Sequence, residues 1–123
     1  MRIPAFLIAL LFAAPATAAA AKSAPYKAIG TEPFWGLSID SKSIVFDQMD
    51  QPKVRQATPK PRKTKFGRIY WTRRISVAII TNQPCSDGMS DYVYRDDVTV
   101  TVDGKKFRGC GGPRRLPKVA SKP

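Results

Sequence analysis

The side chains of this chain that could do chemistry are cysteines, carboxylates and a large excess of cations, since the sequence holds no histidine. The two cysteines, Cys85 and Cys110, do not form the Cys-x-x-Cys spacing of a redox or zinc motif. No serine lies in the Gly-x-Ser-x-Gly setting of a hydrolase nucleophile. Asp87 and Asp91 are then the only carboxylate pair that suggests hydrolysis, and nothing in the sequence brings them to a substrate. We therefore predict a protein that is not an enzyme and that uses no cofactor.

The segment from Cys85 to Asp91 (Cys-Ser-Asp-Gly-Met-Ser-Asp) collects oxygen-bearing side chains that could bind a divalent cation. Its spacing is not that of an EF-hand loop, and a chain with a net charge of +12 repels cations. The other interpretation is a turn held by hydrogen bonds to Asp and Ser side chains, which we favour, so no metal ligand is assigned. Asp87, Met89 and Asp91 remain candidates for a binding loop.

A second candidate site is the segment Gly-Thr-Glu-Pro-Phe-Trp, in which an acid stands beside two aromatic residues. One interpretation is a ligand lip, with Trp35 stacking on a ligand, Phe34 beside it and Glu32 as the polar partner. The other is that Phe34 and Trp35 anchor the core while Gly30 and Pro33 shape a turn. We favour the second interpretation, because large aromatic side chains are usually structural.

The strongest chemical signal is a basic run between Gln51 and Ser86 that contains no acidic residue. Its cations are Lys53, Arg55, Lys60, Arg62, Lys63, Lys65, Arg68, Arg73 and Arg74. A solvated basic loop is one interpretation, but cations without counter-charges repel one another. The run therefore favours an anionic partner, and its prolines indicate that part of it is an extended loop.

The first 18 residues predict a secretory signal peptide that is removed from the mature protein. Arg2 precedes the apolar run Ile3–Ala13, and the sequence Ala16-Thr17-Ala18 supplies the small side chains that a cleavage site needs. Cleavage after Ala20 fits equally well. Loss of Arg2 lowers the net charge of +12 by only one.

Export to the periplasm, or beyond the cell, decides which anionic partners and which cysteine chemistry to expect. The polyanions available there are lipid headgroups, lipopolysaccharide, teichoic acids and acidic glycans, so nucleic acid is not expected. No cysteine lies near the cleavage site to carry a lipid anchor. In an oxidising compartment the even pair Cys85 and Cys110 predicts a disulfide. It would contribute about 3.5 kcal/mol by the loop-entropy relation.

Short apolar runs separated by turn residues predict an all-β domain, because no segment has convincing helical periodicity. We expect a small antiparallel barrel or sandwich of about six to eight strands, closed by one disulfide. Residues 19–25 are expected to be a flexible lead-in, residues 26–112 the β domain and residues 113–123 a basic tail. Strands are predicted at Tyr26–Ile29, Phe34–Ile39, Ser43–Asp47, Ile69–Ile80, Tyr92–Val102 and Lys105–Cys110, with a further strand around Val54–Thr58.

Two of these strands carry finer predictions. Val98–Val102 alternates, Asp103-Gly104 is a type I′ turn pair, and the return strand should place Phe107 opposite Val100 and Gly109 opposite Val98. In the long strand Ile69–Ile80 the alternation slips, which predicts a β-bulge at Arg73-Arg74.

Two stretches of the chain together resemble a family of small uncharacterised bacterial envelope proteins, often labelled lipoproteins or membrane proteins. The first is Ala28–Trp35; the second is Cys85–Asp91 with Val98–Val102 and Phe107–Gly112. The resemblance implies an envelope location and a compact β fold, and it supplies no activity and no catalytic residue.

The size and the disulfide are also similar to those of small periplasmic lysozyme inhibitors of barrel type, although their inhibitory loop motif is absent. That similarity is one of architecture only. The leading hypothesis is therefore a non-catalytic exported domain whose basic face contacts anionic envelope material. The alternative is a protein–protein module, such as an inhibitor of an envelope hydrolase, that engages through Trp35 or the Met89 loop.

Overall fold

The structure is a computed structural model that describes Pro4 and residues 24–117 of the chain. The predicted signal peptide (Pro4 apart), most of the predicted lead-in and the last residues of the predicted tail lie outside the described residues. The fold below is therefore that of the β domain.

The domain is a single antiparallel sheet of ten strands, and residues 24–117 contain no helix. The strands are β1 (Tyr26–Thr31), β2 (Phe34–Ile39), β3 (Ser43–Gln48), β4 (Val54–Ala57), β5 (Arg62–Lys63), β6 (Gly67–Trp71), β7 (Ile75–Ile80), β8 (Cys85–Ser86), β9 (Val93–Val102) and β10 (Lys105–Arg115). The predicted all-β class and the disulfide between Cys85 and Cys110 are confirmed. The strand count exceeds the predicted six to eight, because the sequence does not reveal two-residue strands such as β5 and β8.

The sheet curls into a half-barrel, and the chain connectivity explains why it must. The spatial order is β4-β3-β2-β1-β10-β9-β7-β6-β5, with β8 paired to β9 beside this path. A flat sheet of these nine strands would be roughly 38 Å wide at ~4.8 Å per spacing. Residues 58–61 nevertheless connect the two edge strands, and from Ala57 to Arg62 the chain reaches at most about 18 Å. The two edges must therefore curve towards each other.

The concave side of the sheet holds the core. Alternate residues of the central strands point inward, as in the runs Ile75-Val77-Ile79 of β7 and Val98-Val100-Val102 of β9, and all of these are buried. Burial of large aliphatic side chains contributes about 1.5–3 kcal/mol each, so these two strands contribute substantially to stability.

Trp35 belongs to this core, where it packs against Phe46 and Phe107 with ring centroids 5.7 and 6.4 Å away. Its side chain is only 4% exposed. A Cβ atom on Gly30 or Gly109 would overlap the indole, so these two glycines make room for it. Part of the predicted family resemblance thus has a packing explanation.

The predicted long strand Ile69–Ile80 is wrong, because the chain reverses in its middle. Trp71 pairs with Ser76, and the N–H of Thr72 donates to the carbonyl of Ile75 at 2.8 Å. The Thr72 hydroxyl also accepts a hydrogen bond of 2.9 Å from the N–H of Ile75. The slip in alternation marks a turn at Arg73-Arg74, not a bulge, because a hydroxyl that caps a tight turn leaves no trace in hydrophobic periodicity.

The last hairpin is confirmed in detail. Phe107 pairs with Val100 and Gly109 with Val98, and the turn residues Asp103 and Gly104 have φ of 48° and 83°. β10 then continues past the predicted end of the domain at residue 112. A register shift after Gly111 lets residues 114 and 115 pair with the start of β9, so part of the predicted tail belongs to the sheet.

Candidate functional site

The two segments that carry the family resemblance meet in one cleft of about 370 Å³. The hydroxyl of Thr31 donates to the backbone carbonyl of Asp87 at 2.8 Å and joins the end of β1 to the loop after β8. We call this the motif cleft; its lining includes Glu32, Asp87, Met89 and Arg108. Sequence reasoning identified both segments but not their contact.

The loop from Asp87 to Asp91 is the structured turn that the sequence favoured. One carboxylate oxygen of Asp87 accepts hydrogen bonds from the N–H groups of Ser90 (2.8 Å) and Met89 (2.9 Å), and the other accepts from the Ser90 hydroxyl (2.8 Å). These backbone hydrogen bonds, led by that of Ser90, hold the pKa of Asp87 below its ordinary value. Asp87 therefore stays ionised and serves the turn, while Met89 at its tip is 67% exposed. Within residues 24–117 no three acidic or cysteine side chains gather as a metal-binding group.

The predicted ligand lip is divided by the sheet. Trp35 is buried in the core, so it cannot stack on a ligand, and the interpretation that it anchors the core is the correct one. Phe34, the first residue of β2, is 48% exposed, so the favoured interpretation is wrong for this residue, which does not anchor the core. Glu32 lines the motif cleft, and its peptide bond to Pro33 is cis.

Two of the predicted anion-binding cations have acidic partners. Arg74 forms a bidentate pair with Asp103 (3.0 and 2.8 Å), which raises the pKa of Arg74 and lowers that of Asp103. Lys53 lies 3.9 Å from Asp47. The basic run therefore does have counter-charges, because sheet pairing brings acids from other parts of the sequence to it. Lys53 and Arg74 line a cleft of about 400 Å³ together with Lys105.

Arg68 is also not free to bind a partner. Its guanidinium lies 5.0 Å from the ring centroid of Tyr26 and 5.8 Å from that of Tyr70, and its Nε donates to the Tyr70 hydroxyl at 3.2 Å. Cation–π stacking of this kind holds the side chain against the protein. Arg55 donates to the Ser43 hydroxyl at 3.0 Å, and Arg73 is exposed in the β6–β7 turn.

The remaining predicted cations surround β5, at one edge of the sheet. Lys60, Arg62, Lys63 and Lys65 are all exposed, and no acidic group of residues 24–117 forms an ion pair with them. Phe66 follows at 66% exposure, with the Lys65 ammonium 5.3 Å from its ring centroid. We call residues 60–66 the β5 edge. It is the most concentrated uncompensated charge among the predicted sites.

A third cationic region was missed by sequence reasoning. Arg95, Arg114 and Arg115 line a cleft of about 370 Å³ whose other walls include Pro84 and Val93. Arg95 is distant in sequence from Arg114 and Arg115, and it meets them because the end of β10 pairs with the start of β9. We call this the arginine cleft. The sequence does not show that β10 pairs with β9 again after the register shift between Gly111 and Arg114, and no local pattern predicts it.

Beneath the arginine cleft lies a fully buried carboxylate, that of Asp96 (0% exposed). It accepts hydrogen bonds from the Tyr26 hydroxyl (2.9 Å), the Asn82 N–H (3.2 Å) and the Nε and Nη2 atoms of Arg95 (both 2.8 Å). Burial raises the pKa of Asp96, but these hydrogen bonds outweigh burial and hold it below the ordinary value. Burial and the bond to Asp96 raise the pKa of Tyr26. The alternation of β9 places Asp96 on the inner face, and this signal could have revealed it.

A scan of protein-family models, a search of curated proteins and a search of solved structures each found no match to this chain. Residues 24–117 also contain no helix long and apolar enough to span a bilayer. The geometry of the motif cleft, the β5 edge and the arginine cleft is therefore the basis for assigning a function.

Proposed function

We propose that this chain is an exported, non-catalytic binding domain that contacts anionic envelope material through the β5 edge. The observation that carries the proposal is the group of exposed cations Lys60, Arg62, Lys63 and Lys65, which have no ion-pair partner within residues 24–117. An anionic surface relieves their mutual repulsion. The protein acts in the periplasm, and its contact with the membrane is peripheral, without a transmembrane span in the mature form.

The side chain of Phe66 suits lipid headgroups or lipopolysaccharide better than a fully hydrated glycan. Its ring is exposed beside the Lys65 ammonium. An apolar ring among cations can enter the boundary between headgroups and acyl chains while the charges remain at the surface. Each lysine or arginine near an anionic membrane contributes about 1 kcal/mol to such binding.

A structural role explains part of the same composition. β5 is a short strand at a sheet edge, and Pro59, Pro61 and its two cations prevent another chain from pairing with it. That role does not require the two further cations in the flanking turns. The two roles predict different consequences of charge removal. If the cations protect the sheet edge, their removal should cause aggregation; if they bind anions, their removal should abolish that binding.

The test is co-sedimentation of mature protein with vesicles of phosphatidylglycerol and phosphatidylcholine, compared with vesicles of phosphatidylcholine alone. The variant carries Arg62→Glu, Lys63→Glu and Lys65→Glu. The matched control carries Lys27→Glu, Lys42→Glu and Lys106→Glu, three exposed lysines elsewhere that make the same change in net charge. We expect loss of binding for the first triple and retention for the control. Equal losses would show that only net charge matters, and unchanged binding of both would refute the proposal.

The motif cleft supports a second candidate function, inhibition of an envelope hydrolase. The specific observation is that Glu32 and the highly exposed Met89 belong to one cleft built from both motif segments. Methionine side chains are enriched in protein interfaces. Because the size and the disulfide are similar to those of small periplasmic lysozyme inhibitors, lysozyme is the hydrolase to test. The assay measures cell-wall lysis by lysozyme with mature protein added. Inhibition that Met89→Asp abolishes would support it, and undiminished lysis would remove it.

A further inference from the structure

The arginine cleft has a geometry that differs from that of the β5 edge, since its walls are fixed by the sheet. Arg114 pairs with Tyr94 and Arg115 with Val93, so β9 and β10 hold the backbone of both arginines. Pro84, which precedes the disulfide-bonded Cys85, also lines the cleft. The result is a concave site on rigid elements, of the kind that binds small molecules.

Arg95 is oriented before any ligand arrives. Its Nε and Nη2 atoms donate to the two carboxylate oxygens of Asp96 at 2.8 Å each. Asp96 is held in turn by the Tyr26 hydroxyl and the Asn82 N–H. A guanidinium has five N–H donors, so the bidentate pair leaves the others for a ligand in the cleft. Binding therefore costs little side-chain entropy at this residue.

Arg114 is oriented by a different contact. Its guanidinium lies 4.1 Å from the ring centroid of Tyr92, which is a close cation–π stack. Arg115 is exposed on the neighbouring wall. Neither arginine forms an ion pair with a carboxylate of residues 24–117.

The charges of the cleft indicate which anion fits. Asp96 balances Arg95, so the charges of Arg114 and Arg115 remain. A phosphate monoester carries about −1.5 to −2 at neutral pH, whereas a carboxylate or a phosphodiester carries a single charge. Guanidinium forks match phosphate oxygens in geometry as well as in charge. The apolar side chains of Pro84 and Val93 can cover the organic part of such a ligand.

We propose that the arginine cleft is a specific site for a phosphate monoester. The site uses no residue of the β5 edge and does not depend on the function proposed above. The same chemistry occurs in soluble metabolites and in lipids with a terminal phosphate, and the experiment distinguishes these two sources.

The experiment titrates isotopically labelled mature protein with phenyl phosphate, and in parallel with the diester ethyl phenyl phosphate, by NMR. We expect saturable shifts of the amide signals of Asn82, Arg95 and Arg114 with the monoester, and affinity for the diester that is weaker by about tenfold. A parallel arm compares vesicles that contain phosphatidic acid, a monoester lipid, with vesicles that contain phosphatidylglycerol, a diester. Preference for phosphatidic acid, together with weak binding of phenyl phosphate, assigns the ligand to lipid. The converse assigns it to a soluble monoester.

The variant Arg114→Lys with Arg115→Lys keeps the charge but removes the guanidinium forks. We expect affinity for the preferred monoester to fall about tenfold. The control Arg55→Lys with Arg73→Lys makes the same exchange at exposed arginines outside both the arginine cleft and the β5 edge and should leave affinity unchanged. Equal losses in both pairs, or equal affinity for monoester and diester, would each overturn the proposal. It would also be overturned if wild type showed neither a saturable shift with phenyl phosphate nor a preference for phosphatidic acid. The wild-type titration needs no variant, so it decides even where a substitution lowers stability.

Discussion

The β5 edge and the arginine cleft are both cationic, but the protein controls their side chains to different degrees. At the β5 edge four cations follow one another within residues 60–66, and solvent surrounds them. In the arginine cleft three cations come from two strands, and Asp96 and Tyr92 orient two of them. Cations that no neighbour orients attract any anionic surface in proportion to charge, whereas oriented guanidinium groups select by geometry. We therefore expect the same residue types to support two different kinds of binding.

The largest expected effect comes from removal of the disulfide, which anchors one wall of the arginine cleft and leaves the β5 edge untouched. The double substitution Cys85→Ala with Cys110→Ala should lower the free energy of unfolding by about 3.5 kcal/mol. Chemical denaturation measures this loss. Phenyl phosphate binding should weaken with it, while vesicle binding of the folded fraction should persist. A loss of vesicle binding by folded protein would mean that the two regions are not independent.

Substitution of the buried carboxylate should affect the arginine cleft alone, because Asp96 holds Arg95 in place. Asp96→Ala leaves the Tyr26 hydroxyl, the Asn82 N–H and Arg95 without their acceptor, at an expected cost of about 3 kcal/mol. The neighbouring Asp97→Ala is the control, since Asp97 lies on the outer face without an ion pair in the described part of the chain. The Asp97→Ala substitution should change the free energy of unfolding by no more than about 0.5 kcal/mol. Similar losses in both variants would contradict the role assigned to Asp96.

The sequence predicted the fold where local signals are strong. The Asp103-Gly104 turn, its register and the bounds of β2 follow from alternation and turn chemistry, and the structure matches them. The prediction of one long strand over residues 69–80 was wrong because the turn at Arg73-Arg74 contains neither glycine nor proline.

For the candidate sites the sequence was less informative. It identified the cations of the β5 edge but not which cations of the run acquire partners, since that depends on the strands that lie beside them. The arginine cleft could not be predicted from the sequence for the same reason, because Arg95 meets Arg114 and Arg115 only through the pairing of β9 with β10.

A smaller effect should follow from a change in the β9–β10 turn, outside both cationic regions. Gly104 has φ of 83°, a conformation that a β-branched residue resists. Gly104→Val should therefore lower the free energy of unfolding by at least about 1 kcal/mol. Thermal melts of the two proteins measure the difference. Both kinds of binding should survive in the folded protein, and an unchanged melting temperature would show that the turn is misassigned.

The smallest effect is a dependence of stability on pH that arises from Asp96, the carboxylate that holds Arg95 of the arginine cleft. The folded-state pKa of Asp96 is lowered from 3.8, so the unfolded state binds protons more readily as the pH falls. The stability contributed by this carboxylate is present above the unfolded pKa and is lost as the pH falls through the folded one. Melting temperatures measured from about pH 6 to about pH 2 should decline more steeply for wild type than for Asp96→Asn. Parallel declines would exclude Asp96 as a source.

A pair of binding assays on two neutralised variants shows whether the β5 edge and the arginine cleft bind different ligands independently. One variant carries Arg62→Gln, Lys63→Gln and Lys65→Gln; the other carries Arg114→Gln and Arg115→Gln. Each is tested with phosphatidylglycerol vesicles at about 0.1 M and about 1 M salt, where the Debye length is about 10 and 3 Å, and with phenyl phosphate. We predict that the first variant loses vesicle binding and keeps phenyl phosphate, that the second does the reverse, and that wild-type vesicle binding disappears at high salt. Parallel losses of both ligands in both variants would contradict the account, because the two regions would then act only through net charge.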